Sequence, residues 1–170
     1  MPSRRIPLIL GCWLLAASVA AQTEAGRPNF SGIWKMDPES SQFGPAAAPQ
    51  SAQYTIRHLH ATLTFDYTQD ANTTRVEITP DNEERMTDEV GEMQTWTRAH
   101  WEGGELVLEA RQKYRQPREG APPVRWTSRW SLSPDRKVLT IRRRILTPSG
   151  PFEQVLVFRK QRPATQVSGQ

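Results

Sequence analysis

The sequence predicts an all-β protein, an antiparallel up-and-down (meander) β-barrel of about eight to ten strands. Three observations lead there. Apolar residues alternate with polar ones at period two in segment after segment, as half-buried strands require. Runs of Gly, Pro, Asn, Asp and Ser separate these segments at short intervals, as turns do. No stretch of useful length carries the periodicity of an amphipathic helix, and no long internal repeat is present. Successive strands joined by tight turns pair with their neighbours, which favours closure into a barrel over a sandwich.

The chain opens with Arg4 and Arg5, then an apolar run from Ile6 to Ala17 interrupted by Pro7, Gly11 and Cys12, then Ser18-Val19-Ala20-Ala21. Positive charge, a short apolar core and small residues before Gln22 read as a signal peptide over 1–21, too short for a transmembrane span. The other reading of this stretch is an apolar N-terminal strand. Leu10-Gly11-Cys12 faintly resembles a lipoprotein processing site, but most of the apolar run lies after Cys12, so a lipid anchor is not expected. The expected location is therefore periplasmic or secreted. Removing 1–21 takes away the single cysteine and two of the 22 basic residues, leaving 20 against 18 acidic ones, a net charge of +2. Disulfides and zinc-thiolate sites are then excluded. So near a balance offers nothing to a nucleic-acid backbone.

Residues 22–28 are polar and read as a flexible arm, 29–162 as a single barrel domain, and 163–170 as a flexible tail. Phe30-Ser31-Gly32-Ile33-Trp34-Lys35 starts the first strand. Pro38 to Pro49 (PESSQFGPAAAP) reads as a long loop or cap. Tyr54-Thr55-Ile56-Arg57 alternates, as do Leu59, Ala61, Leu63, Phe65 and Tyr67. Asp70-Ala71-Asn72 turns into Thr74–Thr79, and Pro80-Asp81-Asn82 turns into a more polar segment from Glu84 to Val90. Met93–Trp101 and Glu105–Tyr114 flank Glu102-Gly103-Gly104, a hairpin whose glycines can take positive φ. Gln116–Pro123 is a Pro-rich connection. It leads to Val124, Trp126, Ser128, Trp130 and Leu132 on one face, with Arg and polar residues between them. Ser133-Pro134-Asp135-Arg136 turns into Val138–Leu146, and Pro148–Pro151 into Phe152–Lys160. The outward faces carry Arg, Glu, Asp and Lys at a density that rules out a lipid-facing band, so the barrel is not membrane-spanning.

Gly32-x-Trp34 at the first strand and Leu156-Val157-Phe158-Arg159-Lys160 at the last resemble the opening and closing strands of lipocalins and the related fatty-acid-binding proteins, a calycin-like barrel. With FSGIWKMDPESSQFGP, LSPDRKVLTIRRRILTPSGPFEQVLVFRK and the leader, the chain resembles small exported lipocalin-like proteins of soil bacteria. The resemblance implies that Trp34 plugs one end of the barrel, that Gly32 allows a close backbone approach, and that a basic side chain of the last strand lies across Trp34. Arg159 is the matching position, with Lys160 as its substitute. These roles are structural. The Pro-rich 38–49 segment departs from the first loop of that family.

Polar residues on inward stripes are the ones able to orient a ligand in an otherwise apolar interior. Arg143 lies between Ile141 and Ile145. Inward, its planar fork suits a carboxylate; outward, Arg142-Arg143-Arg144 is a solvated basic strand. Trp126, Ser128 and Trp130 fall on an inward stripe, where the tryptophans would wall a ligand or fill a dry core. His58 and His60 form a His-x-His, with His100 the third histidine, but no Asp or Glu converges with them in the sequence, and rim or surface positions are expected rather than a metal or haem site. Nucleophile elbows, phosphate loops, zinc-protease motifs and cysteine nucleophiles are missing, so no catalysis and no cofactor are expected. The function expected is an exported barrel binding a small, mostly apolar molecule. The alternative is an interaction or inhibitor module with a packed core, acting through its loop rim.

Overall fold

The computed structural model describes residues 27–116 and 124–162. The leader, most of the arm, the tail and most of the Pro-rich connection lie outside these residues. Ten strands are present: β1 (Gly32–Met36), β2 (Ala52–Leu59), β3 (Thr62–Gln69), β4 (Asn72–Ile78), β5 (Glu84–Val90), β6 (Met93–Glu102), β7 (Glu105–Tyr114), β8 (Arg125–Leu132), β9 (Val138–Thr147) and β10 (Gly150–Lys160). They form one antiparallel sheet in the order β4-β3-β2-β1-β10-β9-β8-β7-β6-β5. β4 and β5 lie side by side without a hydrogen-bonded ladder, so the barrel is nearly closed.

The strand rhythm matches the alternation of the sequence except in β5, where the register shifts between Met86 and Asp88, and at Leu59. Leu59 belongs to the end of β2, not to the stripe that begins β3, and it is 64% exposed. The turn at His60-Ala61 explains this: His60 takes φ of 53°, and His58 pairs with Leu63 across the hairpin. Opposite residues share a face, so Leu63 enters the core and Leu59 turns outward. The 37–51 connection carries no helix. It runs beside β10, where Gln42 and Val155 exchange backbone hydrogen bonds of 2.7 and 2.9 Å. Gly44 has φ of 62° there, and a Cβ on it would meet the Glu153 carbonyl oxygen at 2.8 Å, so the connection approaches β10 as closely as glycine permits.

One end of the barrel is sealed. Trp34 is 0% exposed, and its indole N–H donates to the Phe30 carbonyl at 2.8 Å. The cation across it is Lys160, with Nζ 5.0 Å from the ring centroid, and not Arg159. Register explains the correction: Trp34 pairs with Lys160, whereas Arg159 pairs with Lys35 and so faces outward, where it bonds Asp37 at 2.7 Å. Gly32 has φ of 143°, and a Cβ there would stand 2.7 Å from Lys160 Cε. The glycine thus lets the lysine stem cross to the indole. Lys160→Ala is expected to cost about 1 kcal/mol through the lost cation–π contact. Arg159→Ala removes an ion pair whose arginine is exposed and is expected to cost less, about 0.5 kcal/mol or below. Urea unfolding of the two variants side by side checks the ranking.

Candidate functional site

β6 to β10 place their inward side chains in rows across the barrel, each set by register. Toward the sealed end Phe158, Leu139 and Leu132 share a row, and above it stand Leu156, Ile141, Trp130, Leu106 and Trp101. The next is Gln154, Arg143, Ser128, Leu108 and Ala99, and the one above it Phe152, Ile145, Trp126, Ala110 and Thr97. All four expected ligand-facing residues, Trp126, Ser128, Trp130 and Arg143, therefore lie on one inner wall. Their surroundings differ sharply.

Trp130 is part of a packed floor. Its ring lies 5.1 Å from that of Tyr54 and 5.3 Å from that of Phe65, and Tyr54 lies 5.1 Å from Phe158. Edge and tilted contacts at such distances fill space as a protein core does. The lower half of the interior is thus solid, as the packed-core alternative required. The Trp130 indole N–H is buried there without a hydrogen-bond partner.

Above this floor the same inward stripes become accessible to solvent. Ser128 is buried, but Arg143, Ile145, Trp126 and Phe152 are only half-buried although they point inward. These half-buried side chains mark the upper half of the interior, the cup, as less densely filled than the floor. Arg143 is the cup's one cation among the described residues: Nε donates to Ser128 Oγ at 3.3 Å, and its charge acts on the buried Tyr54 phenol. Among the described residues no carboxylate lies within ion-pair distance of it. Tyr67 stacks on Tyr54 with centroids 4.5 Å apart and feels the same charge. Gln154, beside Arg143 in its row, donates to the Phe43 carbonyl at 3.0 Å, which ties the 37–51 connection to the edge of the cup.

Tyr54, Tyr67 and Phe43 stand around the candidate site, and sequence reading did not single them out. Phenols at the apolar positions of an alternating strand look like core. Only the pairing of β2 with β3, and the curvature that carries both round to β9, brings them to Arg143.

Burial pushes the Tyr54 phenol up to about 12, partly opposed by the charge and hydrogen bond of Arg143. Burial raises Tyr67 as well. In the unfolded chain phenols titrate near about pH 10. The folded protein then holds protons that the unfolded chain has released, so the stability contributed is whole below about pH 10 and is lost as pH rises toward about 12. Denaturant midpoints measured between about pH 9 and about pH 11.5 should fall, and Tyr54→Phe should flatten that fall.

The histidines do not converge. His58 sits at the sealed end, stacked with Phe30 and Trp101 at centroid distances of 6.3 and 6.1 Å. His60 is in the β2–β3 turn, and His100 is on the outer face, 3.0 Å from Glu102. Among the described residues no group of His, Cys, Asp and Glu is arranged to hold a metal.

A second concavity, of about 600 Å³, lies on the outside of β6 to β9. Its walls include Arg98, Glu109, Thr127 and Arg144, which follow one another across the sheet in register, and Arg111, held by Glu84 through bonds of 2.8 and 2.6 Å. That bidentate pair holds the Glu84 carboxyl below its usual range.

The chain matches no protein-family profile, and no curated protein matches it in sequence. Its fold does match solved structures. A structure titled REP1-NXSQ fatty acid transporter superposes with a TM-score of 0.56 at 11% identity, covering 79% of this chain and 97% of that one. The ileal bile acid-binding protein of zebrafish, complexed with cholic acid, gives 0.56 at 13% identity over 78% and 98%. A mutant form of the fatty acid transporter gives 0.52 at 12% identity over 78% and 98%. The protein thus shares the nearly closed, calycin-like antiparallel barrel fold of these structures.

Proposed function

We propose that this protein is a non-catalytic binder of a small, mostly apolar molecule with an acidic end, held in the upper half of the barrel interior. One observation carries the reading: Arg143 faces the barrel interior, bonded to the Ser128 hydroxyl and near enough to the buried Tyr54 phenol to act on it, with no carboxylate of the described residues within ion-pair distance. A charge taken from water is costly unless paired, and an acidic ligand supplies the pair. The guanidinium presents parallel N–H donors to a carboxylate, and Ser128 keeps the fork oriented. Trp126, Ile145, Phe152 and Tyr67 supply apolar wall above it. The structural neighbours titled as a fatty acid transporter and a bile acid-binding protein support this class of ligand.

Displacement of a polarity-sensitive dye tests the proposal. Decanoate should displace it at least about tenfold more effectively than decanol, the gain expected of one charge-assisted pair. Equal potency would remove the role given to Arg143. We propose further that residues 1–21 direct export and are removed, which mass determination of the protein from its host would check.

The outer groove favours a second reading, an interaction module. Arg98, Arg125 and Arg144 are exposed along it and suit an acidic surface on a partner. The two readings separate cleanly, because Arg144→Glu would weaken partner capture and leave acid binding intact.

A further inference from the structure

In the groove outside β6 to β9, arginines crowd together beyond what the carboxylates there neutralise. Arg111 and Arg125 are register partners across β7 and β8, so their stems leave the outer face about 5 Å apart. Like charges placed directly opposite on a sheet repel and destabilise it. Arg144 stands on β9, on the diagonal from Arg125, whose own partner there is Leu146. Glu84 reaches only Arg111: it accepts from Nε and one terminal nitrogen at 2.8 and 2.6 Å, and the other terminal nitrogen stays out of the pair. Glu109 and Glu153 share the register row of Arg144. Even so, among the described residues no carboxylate lies within ion-pair distance of Arg125 or Arg144.

We propose that this groove binds a small phosphate monoester, its phosphate held by Arg111, Arg125 and Arg144 and its organic group against Leu146. The site goes beyond the partner reading of the same face. It is also independent of the interior, to which the same strands turn their other side. Charge selects the ligand. The groove is lined by four arginines and two glutamates, an excess of two positive charges. A phosphate monoester carries about −1.5 to −2 at pH 7 and so balances that excess in one group. The cations come from three adjacent strands with Arg125 in the middle, an arrangement that suits a compact tetrahedral group. Guanidinium forks pair with phosphate oxygens two at a time. The Glu84 pair holds Arg111 in place for this, and Thr127, between Glu109 and Arg144 in the register, adds a hydroxyl donor. Leu146, 46% exposed, gives the ester an apolar contact beside Arg125. A volume of about 600 Å³ is that of a small-molecule site.

Phenyl phosphate and phenyl sulfate, titrated by calorimetry into the full protein at about pH 7.5, test this. The sulfate has the same shape and a single charge, so the phosphate should bind at least about tenfold more tightly. Arg125→Gln should weaken phenyl phosphate by about ten- to a hundredfold, and Arg144→Gln, on another strand, by at least about fivefold. Neither should lower the urea midpoint, since each relieves repulsion and breaks no ion pair. Displacement of the interior dye by decanoate should stay within about twofold. Equal affinity for the two esters would reduce the groove to a general positive field and overturn the proposal. Phenyl phosphate binding that survives both substitutions would overturn it too. So would a loss of binding matched by a fall in the urea midpoint, which would give the arginines a role in folding instead.

Discussion

Arg143→Gln should weaken decanoate binding by about ten- to a hundredfold, the loss of one charge-assisted hydrogen-bonded pair at a half-buried site. Decanol, which makes no ion pair, should change by less than about threefold. The folded protein should meanwhile lose no stability, and is expected to gain some. Arg143 rests in a half-buried place beside the Ser128 hydroxyl with no acidic partner among the described residues, so its charge is carried at a cost to the fold. A site that lowers stability for the sake of its ligand is a recurring compromise. Paired titrations and thermal melts on one preparation would show both halves. A parallel loss of decanoate and decanol affinity would mean that the variant had merely distorted the barrel.

The second large effect concerns the sealed end. Trp34→Ala should cost about 3–5 kcal/mol of stability, because a fully buried indole is removed where the walls are closed strands and cannot collapse into the void. The hydrogen bond to the Phe30 carbonyl and the stack beneath Lys160 go with it. Trp34→Phe should keep most of the packing and lose mainly that hydrogen bond, about 1 kcal/mol. Neither variant should alter acid affinity in the folded fraction by more than about threefold, since the aromatic floor separates Trp34 from Arg143. Equilibrium unfolding in urea gives the first number and titration at low temperature the second.

The strands were legible because each half-buried face writes its period into the sequence, and the ten elements follow that period closely. What the period cannot supply is the register that a turn, or the pairing of strands far apart in the chain, imposes. The exchange of Arg159 for Lys160 over Trp34 is one such case. The two basic residues are neighbours, a step of one residue changes face, and only the pairing of Trp34 with Lys160 decides between them. Leu59 is another, left outside the stripe of β3 by a single left-handed residue, His60, in the turn that follows it. The candidate site was half legible. Arg143 showed itself as a charge on an apolar stripe, and Trp126, Ser128 and Trp130 followed by alternation. Tyr54 and Tyr67 did not, because a tyrosine at a core position is ordinary until a cation stands beside it. The division of the interior into floor and cup was hidden as well: Trp126 and Trp130 are equivalent in pattern, and only the rings that reach Trp130 from β2 and β3 separate them. The outer groove, a product of sheet curvature under long side chains, has no signature in the sequence at all.

On the proposed function the acid lies inside the barrel with its head on Arg143. A crystal structure with ω-bromodecanoate tests it most directly, because the bromine marks the tail by anomalous scattering. The carboxylate is expected against the Arg143 guanidinium and the bromine near Trp126 and Phe152. Bromine in the outer groove beside Arg98 and Arg144, with the interior occupied only by water, would contradict it.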